Sequence, residues 1–368
     1  MISIFIYGFD RVDDFKLRDL KPKTKFSIII PFRNEAENLP KLLDSILKLN
    51  YPKNLFEVIL VNDASNDTSV EITRRILNAK PFKNDFTQSD VVKIIQNNRI
   101  TNAPKKDAIN SAINVSKYEW IITTDADCVL PIYWLDTFDE CIQTQNPNCI
   151  IAPVAYYGHT TFFNRFQALD FMSLQGVTIG GFGIKKPFLC NGANFGYQKS
   201  IFKSLNGFEG NNSIASGDDI FLLEKFKRIN SKKIVYLKSK NAIVYTNPVS
   251  NFRQLIQQRL RWTSKTSQNP NWFSKFVGII VFLANLVCMS LIPLLMLQLI
   301  APRIALALFV IKLAIDFLLL FKTTRFLKQE NVLYSFITSS LLYPFFSVYI
   351  VILSWFKSYN WKGRTFRK

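Results

Sequence analysis

Two stretches of this chain contain no charged side chain, Phe276 to Pro302 and Asn331 to Phe356. As helices, either outreaches the ~30 Å of hydrocarbon in a bilayer. The chain has 368 residues, enough for one large or two small soluble domains. Apolar runs of this length are expected to be membrane spans rather than core helices. Between them, Ile304 to Phe321 is apolar but carries Lys312 and Asp316. It is expected to be a weaker span, a re-entrant hairpin or an interfacial helix.

The flanks of this region are basic. Arg253, Arg259, Arg261, Lys265 and Lys275 precede it, and Lys357, Lys362, Arg364, Arg367 and Lys368 follow it, with no acid in either flank. A net charge of +19 therefore points to a membrane surface, with basic flanks on the cytoplasmic side, rather than to nucleic acid. Two crossings would leave both flanks on one side, and three would separate them. Met1 to Phe9 has an apolar stretch but neither a basic n-region nor a small-residue cleavage site. The expected location is an integral plasma or inner membrane protein with its soluble part in the cytoplasm. Cys128, Cys141, Cys149, Cys190 and Cys288 are odd in number and form no C-x-x-C pair, so neither a disulfide framework nor a zinc site is expected.

Five segments follow from these patterns: an N-terminal extension (1–25), a soluble domain (26–250), a basic interfacial segment (251–275), the membrane region (276–356) and a basic tail (357–368). Within the soluble domain, strand-like runs at Phe26–Ile30, Phe56–Val61, Val91–Ile95 and Tyr118–Thr123 alternate with helix-like segments at Glu37–Leu49, from Asp67 or Thr68 to Leu77, and at Lys105–Val115. This order implies an α/β fold with a mostly parallel sheet, and the unbroken apolar strands fit burial on both faces. The polar segment 80–90 reads as a surface loop.

Ligands of open α/β sheets bind beyond the carboxyl ends of the strands, and polar clusters gather there. Pro31-Phe32-Arg33-Asn34-Glu35 follows the first strand, Asn62-Asp63-Ala64-Ser65-Asn66-Asp67 the second, and Thr124-Asp125-Ala126-Asp127 the fourth. Carboxylates without histidine or cysteine suit Mg²⁺ or Mn²⁺, ions that commonly hold substrate phosphates.

The stretches FSIIIPFRNEAENLPKLLDSI, VILVNDASNDTS and TTDADC together resemble the family-two glycosyltransferases, which have the GT-A nucleotide-sugar-binding fold. NGANFGYQKSIFKSLNGFEG, SGDDIFLLEKF and QQRLRW follow in the same order, and the last resembles the Q-x-x-R-W motif of membrane-embedded members. The resemblance implies an inverting transfer from a nucleotide diphosphate sugar, UDP or GDP type, to a lipid or glycan acceptor. It assigns Asp127 to the metal, and Asp125 to the ribose or a metal-bound water. Asp63 is assigned to the nucleobase and ribose, with Glu35 and Lys105 also near the nucleotide. Asn62 and Pro104 depart from the acid and the glycine usual at those positions. Asp219 is assigned as general base, with Asp218 beside it. Asn191, Gly192, Gln258 and Trp262 fall to the acceptor side, and Arg261 to the diphosphate. Lys106 is expected on a solvated helix face, Arg253 and Arg259 as lipid-facing or surface charges, and Gly180, Gly181 and Gly183 in a mobile loop. Alternatives are a processive polysaccharide synthase subunit and a non-catalytic nucleotide-sugar-binding membrane protein.

Overall fold

The computed structural model describes residues 1–79, 91–211 and 216–366. Segment 80–90, expected as a loop, and the last two basic residues lie outside the described residues. A short helix, α1 (Ile2–Asp10), precedes an alternation of β1 (Phe26–Phe32), α2 (Leu39–Leu47), β2 (Phe56–Asn62), α3 (Ser69–Ala79), β3 (Val92–Gln96), α4 (Pro104–Val115) and β4 (Trp120–Thr123). Next come α5 (Trp134–Gln145), β5 (Cys149–Ile151), β6 (Val154–Tyr156), α6 (Phe162–Gly183), β7 (Phe195–Gln198), α7 (Lys199–Ser204), α8 (Asp218–Asn230), β8 (Ile234–Tyr236) and β9 (Val244–Thr246). The chain ends with α9 (Phe252–Gln268), α10 (Trp272–Met296), α11 (Pro302–Leu327), α12 (Phe336–Phe356), β10 (Tyr359–Trp361) and β11 (Arg364–Phe366).

Two compact units result, one of Asp13–Ala155 with Cys190–Asn247, the other of Met1–Val12, Tyr156–Leu189 and Pro248–Lys368. The first contains a seven-stranded sheet in the order β3-β2-β1-β4-β7-β5-β8. β1 to β4 are parallel, in register Ile29↔Ile59 and Ile29↔Thr123, while β7 runs antiparallel to both of its neighbours. The mixed, mostly parallel sheet agrees with the expected class. All of β2, and β1 except Pro31, is buried, the reason these strands read as unbroken apolar runs. Phe32 pairs with Asn62, so the polar segments after β1 and β2 leave the same edge. Segment 13–25 is tied to this unit through backbone N–H groups. Arg18 and Leu20 donate to Glu140 at 2.7 and 3.0 Å, and Thr24 donates to Asp139 at 2.9 Å.

In the second unit, the mobile glycine loop expected at 180–183 is overturned: Gly180, Gly181 and Gly183 form the last turn of α6. They serve close backbone approach instead. A Cβ on Gly180 would strike the carbonyl oxygen of Phe5, one on Gly183 that of Gly8, and one on Gly8 that of Gly180. Small residues thus let α1 and α6 touch along their backbones, as packed membrane helices do.

Three helices are long and apolar enough to cross a membrane: Trp272–Met296, Pro302–Leu327 and Glu330–Phe356, with mean hydropathies of 2.5, 2.6 and 1.9. The first and last contain the two uncharged runs. The middle one is a single continuous helix, which excludes the hairpin, and its Lys312 and Asp316 neutralise each other one turn apart at 2.7 Å.

The α1–α6 contact leaves no room for a side chain, and overpacking costs about 1–3 kcal/mol. Gly180→Leu is therefore expected to lower the melting temperature of the detergent-purified protein by several degrees and to make α1 sensitive to protease in limited proteolysis.

Candidate active site

The site in the sheet unit is assembled from the strand ends upward. After β1, Arg33 Nη1 donates to the carbonyl oxygens of Asp63 (2.8 Å) and Ala64 (2.6 Å). This stitches the first two polar segments together. Glu35 is buried; its backbone N–H donates to Ser69 Oγ at 2.8 Å and its carboxylate accepts from Asn38 Nδ2 at 2.6 Å. These bonds fix Glu35 within the turn that starts α2.

After β2, Asn62 uses both ends of its amide. Oδ1 accepts from Ser65 N at 2.9 Å, and Nδ2 donates to Gln96 Oε1 at 3.0 Å. The neighbouring Asp63 is nearly buried. Its Oδ1 accepts from Arg99 Nε at 2.5 Å and Asn97 Nδ2 at 2.8 Å. Arg99 and Asn97 went unread in the sequence, although both directly follow β3, where the strand-end rule places ligand-facing residues.

At the end of β4, Asp125 accepts from Lys105 Nζ at 2.7 Å. The same ammonium lies 3.4 Å from Asp218, at the start of α8. Gly217, at φ 84°, makes the tight entry into that helix, where the N-terminal dipole favours the two carboxylates. Asp219 is held on both oxygens, Oδ1 by Ile220 N at 2.8 Å and Oδ2 by Gly192 N at 3.2 Å. Asn191 caps the short turn at Gly192, its Oδ1 accepting from Ala193 N at 3.0 Å. A Cβ on Gly192 would come within 3.1 Å of Asp218 and 3.5 Å of Lys105 Nζ, so glycine leaves room for the ion pair. Asp125, Lys105, Asp218, Asp219 and Gly192 are thus brought together within this unit.

Electrostatics follow from that arrangement. Burial alone would pull the Lys105 ammonium down, but Asp125, Asp218 and Asp219 outweigh it and raise its pKa well above the ordinary lysine value. Cys128, beside Asp127, has its thiol pushed up by burial and by Asp127 and Asp125, so it stays protonated. It is a poor metal ligand in that state.

Lys106, expected on a solvated face, is instead buried. Its Nζ donates to the Asn211 carbonyl at 2.7 Å and lies 5.3 Å from the Phe221 ring centroid. Successive helix residues point about 100° apart, so one lysine enters the acid cluster and the next anchors the chain ahead of α8.

The Q-x-x-R-W residues lie on α9 in the other unit, where Gln258, Arg261 and Trp262 are all half-buried. Arg253 is exposed, as expected. Arg259 is not: it is buried and pairs with Asp170 of α6 at 2.6 Å. The tail also departs from expectation. Residues Tyr359–Phe366 fold into a hairpin, and Asn360 N donates to Gln257 Oε1 on α9 at 2.7 Å. Its turn, Lys362-Gly363, has φ of 51° and 74°. An X-Gly pair between aromatic residues was the available sequence signal.

A parallel nucleotide-binding type of sheet with an acid cluster at its carboxyl edge defines the class as a GT-A-like transferase fold. The comparisons place the chain within that class: residues 120–321 match the model of Glycosyl transferase family group 2, and residues 27–205 that of Glycosyl transferase family 2. The chain belongs to the family-two glycosyltransferases. It is 26% identical over 156 residues to the poly-beta-1,6-N-acetyl-D-glucosamine synthase of Staphylococcus epidermidis, covering 41% of this chain and 33% of that protein. It is 26% identical over 202 residues to the probable glycosyltransferase YdaM of Bacillus subtilis, covering 52% and 44% respectively. The matches thus span less than half the length of these relatives. Among solved structures, a mannosyltransferase of Pyrobaculum calidifontis in complex with GDP-Man and Mn²⁺ has the same fold, with a TM-score of 0.56 at 15% identity, covering 92% of this chain and 94% of that one.

Because its folded pKa is raised, the contribution of Lys105 to stability is complete below the unfolded lysine value, near pH 10.4, and is lost only as pH rises towards the folded value. Removing one partner of a partly buried pair costs about 1–3 kcal/mol. Lys105→Met is expected to lower the melting temperature by a similar amount throughout pH 6–9, and circular dichroism melts across that range check it.

Proposed function

We propose that the chain is a membrane-anchored inverting glycosyltransferase moving a sugar from a nucleotide diphosphate sugar, UDP or GDP type, to a lipid or glycan acceptor. The observation that carries this reading is the Lys105 ammonium, which joins Asp125 at 2.7 Å to Asp218 at 3.4 Å. It links the acid assigned to the donor with the acid pair assigned to the base. Family membership and the GDP-Man complex of the mannosyltransferase support the donor class. The synthase relatives favour, as a second reading, a processive polysaccharide synthase subunit. Retention of Asp127 and Asp219 weighs against a non-catalytic binding protein.

Among the described residues no three Asp, Glu, His or Cys side chains converge as a ready-made metal cage. The residues still fit a divalent ion completed by substrate oxygens: two carboxylates, a protonated neighbouring thiol and no imidazole form a hard donor set. Asp127 and Asp125 are the residues that would hold Mg²⁺ or Mn²⁺, and the Mn²⁺ in the mannosyltransferase complex supports that ion class. When bound, it supplies Lewis-acid neutralisation of the leaving diphosphate.

The other steps belong to side chains. Asp63, already oriented by Arg99 and Asn97, accepts from the nucleoside, with Glu35 near it. Asp219 takes the acceptor hydroxyl proton, and its two backbone N–H bonds hold the carboxylate in one orientation for in-line attack. Asp218 and Lys105 set the charge around that base. Arg261 grips the diphosphate bidentately. Gln258 and Trp262, with Asn191 and Gly192, serve the acceptor.

Only two of the three long helices cross the membrane in this reading. After α11, Gln329 Nε2 donates to the Tyr156 carbonyl at 2.7 Å, and Lys322 pairs with Asp10 at 2.9 Å. α12 starts at Ser335, which accepts from Arg165 Nε of α6 at 2.6 Å. It ends in the hairpin that meets α9. Since α9 is too polar to lie in hydrocarbon, the number of crossings between α9 and the hairpin is even. α10 and α11 go out and back, and α12 packs against α10, α9 and α6. Both basic flanks then share the cytoplasmic face, in keeping with the positive-inside pattern.

Two measurements test these readings. In detergent extracts given UDP- and GDP-sugars with Mg²⁺ or Mn²⁺, Asp219→Asn is expected to lose at least about 10²-fold in transfer rate while keeping donor affinity, and Asp127→Ala to lose the metal-stimulated transfer. Unchanged transfer in Asp219→Asn removes the assigned base. In a background lacking native cysteines, Ser358→Cys and Ser250→Cys are expected to react with an impermeant maleimide from the cytoplasmic face only. Labelling of Ser358→Cys from the opposite face overturns the two-crossing topology.

A further inference from the structure

Arg259 occupies an x position of the Q-x-x-R-W segment, yet it is more deeply buried than Gln258, Arg261 or Trp262. Two nitrogens of its guanidinium are engaged differently. Nε donates to Asp170 Oδ2 at 2.6 Å, and Nη1 donates to Gln258 Oε1. The guanidinium carbon stands 4.1 Å from the Trp262 ring centroid. Aromatic contacts hold the same two side chains from the other side. The Tyr156 hydroxyl donates to Gln258 Oε1 at 3.5 Å, Tyr156 stacks on Phe171 at 4.5 Å, and Phe171 meets Trp262 at 5.9 Å. Asp170 and Phe171 are adjacent on α6. One turn of α6 therefore meets Trp262 twice, directly through Phe171 and through Arg259 by way of Asp170.

We infer that Arg259, oriented by Asp170, is the positioning residue that fixes the rotamers of Gln258 and Trp262 and so sets the acceptor end of the site. The functional consequence rests on the glycosyltransferase reading above; the geometric part does not. The planar fork is what the arrangement requires. It can donate to Asp170 along one edge, reach Gln258 with another nitrogen and still present a flat face to the indole. A lysine in this place retains the charge opposite Asp170 but has neither the second donor in a fixed plane nor the stacking face.

Arg259→Lys separates this role from a merely structural ion pair, and Asp170→Asn provides a second variant that keeps a hydrogen-bond acceptor for Arg259 while removing its counter-charge. Two readouts are needed. In the first, protein labelled with 5-fluorotryptophan is examined by ¹⁹F NMR, with the Trp262 resonance assigned by its disappearance in Trp262→Phe. Its shift is expected to move or broaden in both variants while the other tryptophan signals stay in place. An unmoved Trp262 resonance in Arg259→Lys overturns the inference, whether or not the protein transfers sugar.

In the second, UDP-GlcNAc and GDP-mannose are supplied to the solubilised protein with its native membrane lipids, and transfer to lipid is compared with donor hydrolysis by water. Arg259→Lys is expected to lower the ratio of transfer to hydrolysis by roughly tenfold, the scale of a desolvated cation–π contact, with donor KM within about twofold. The double variant with Trp262→Phe is expected to lose no more than Trp262→Phe alone, as two residues acting through one contact do. Full rescue by lysine, or additive losses, overturns positioning through Trp262. A wild type that turns over neither donor sinks the glycosyltransferase reading and leaves the ¹⁹F experiment to decide the role of Arg259.

Discussion

A single ammonium group holds the candidate active site together. Asp125 at the end of β4 and Asp218 at the start of α8 come from distant parts of the sequence, and the fold brings both to Lys105. Without a cation there, two carboxylates in a partly desolvated edge would repel at several kcal/mol if the effective dielectric were about 20. The sheet order decides which residues face this problem. β1 lies between β2 and β4, so the polar segments after these three strands converge at one edge. β3 delivers α4, and α4 carries Lys105 in its first turn. The N-terminus of α8 adds a second, fixed source of positive potential. The chain thus neutralises its acids with a side chain and a helix end.

The same solution recurs in the membrane-associated unit, with Arg259 in place of Lys105. Asp170 lies on the largely buried helix α6, where an unpaired carboxylate would be prohibitive. Its partner is an arginine, and that choice matters because the guanidinium has edges and faces to share. Lys105 has only acids to hold, and a compact ammonium suffices. Lys312 and Asp316 show a third variant, in which an apolar helix carries its own counter-charge one turn away.

Much of this was readable in the sequence. The alternation of strands and helices, the strand-end acids and the span-length helices follow from periodicity and charge, because burial on both sheet faces or in lipid selects residue type strongly. Asp63, Asp125 and Asp219 were singled out by strand-end position and motif, and the structure sets Asp125 beside Lys105 and Asp219 at the start of α8. What was missed shares a cause. Lys106 and Arg259 look like solvated charges because residue type cannot report the direction a side chain takes from a helix. Neighbours at 105 and 106, or 259 and 261, differ in environment only once the facing helix is known. Gly180 and Gly183 resembled a loop because glycine lowers helix propensity, yet tertiary packing against Phe5 and Gly8 pays that cost. The hairpin at the C-terminal end was hidden by its basic composition, which equally suits a lipid-facing tail.

Asn62 is a departure from the family pattern that the structure makes intelligible. An aspartate there could accept from Ser65 N, but it could not donate to Gln96 as the asparagine amide does at 3.0 Å. It would also place a second negative charge beside Asp63, with Arg99 and Asn97 already engaged by the first. Replacing charge by a donor exchanges an ion pair's demand for a neutral bridge between the ends of β2 and β3. Under the proposed function, recognition at the base end rests on Asp63. Since Arg99 and Asn97 both hold its Oδ1, this carboxylate would meet a nucleoside as an oriented acceptor whose ordering entropy has been met during folding.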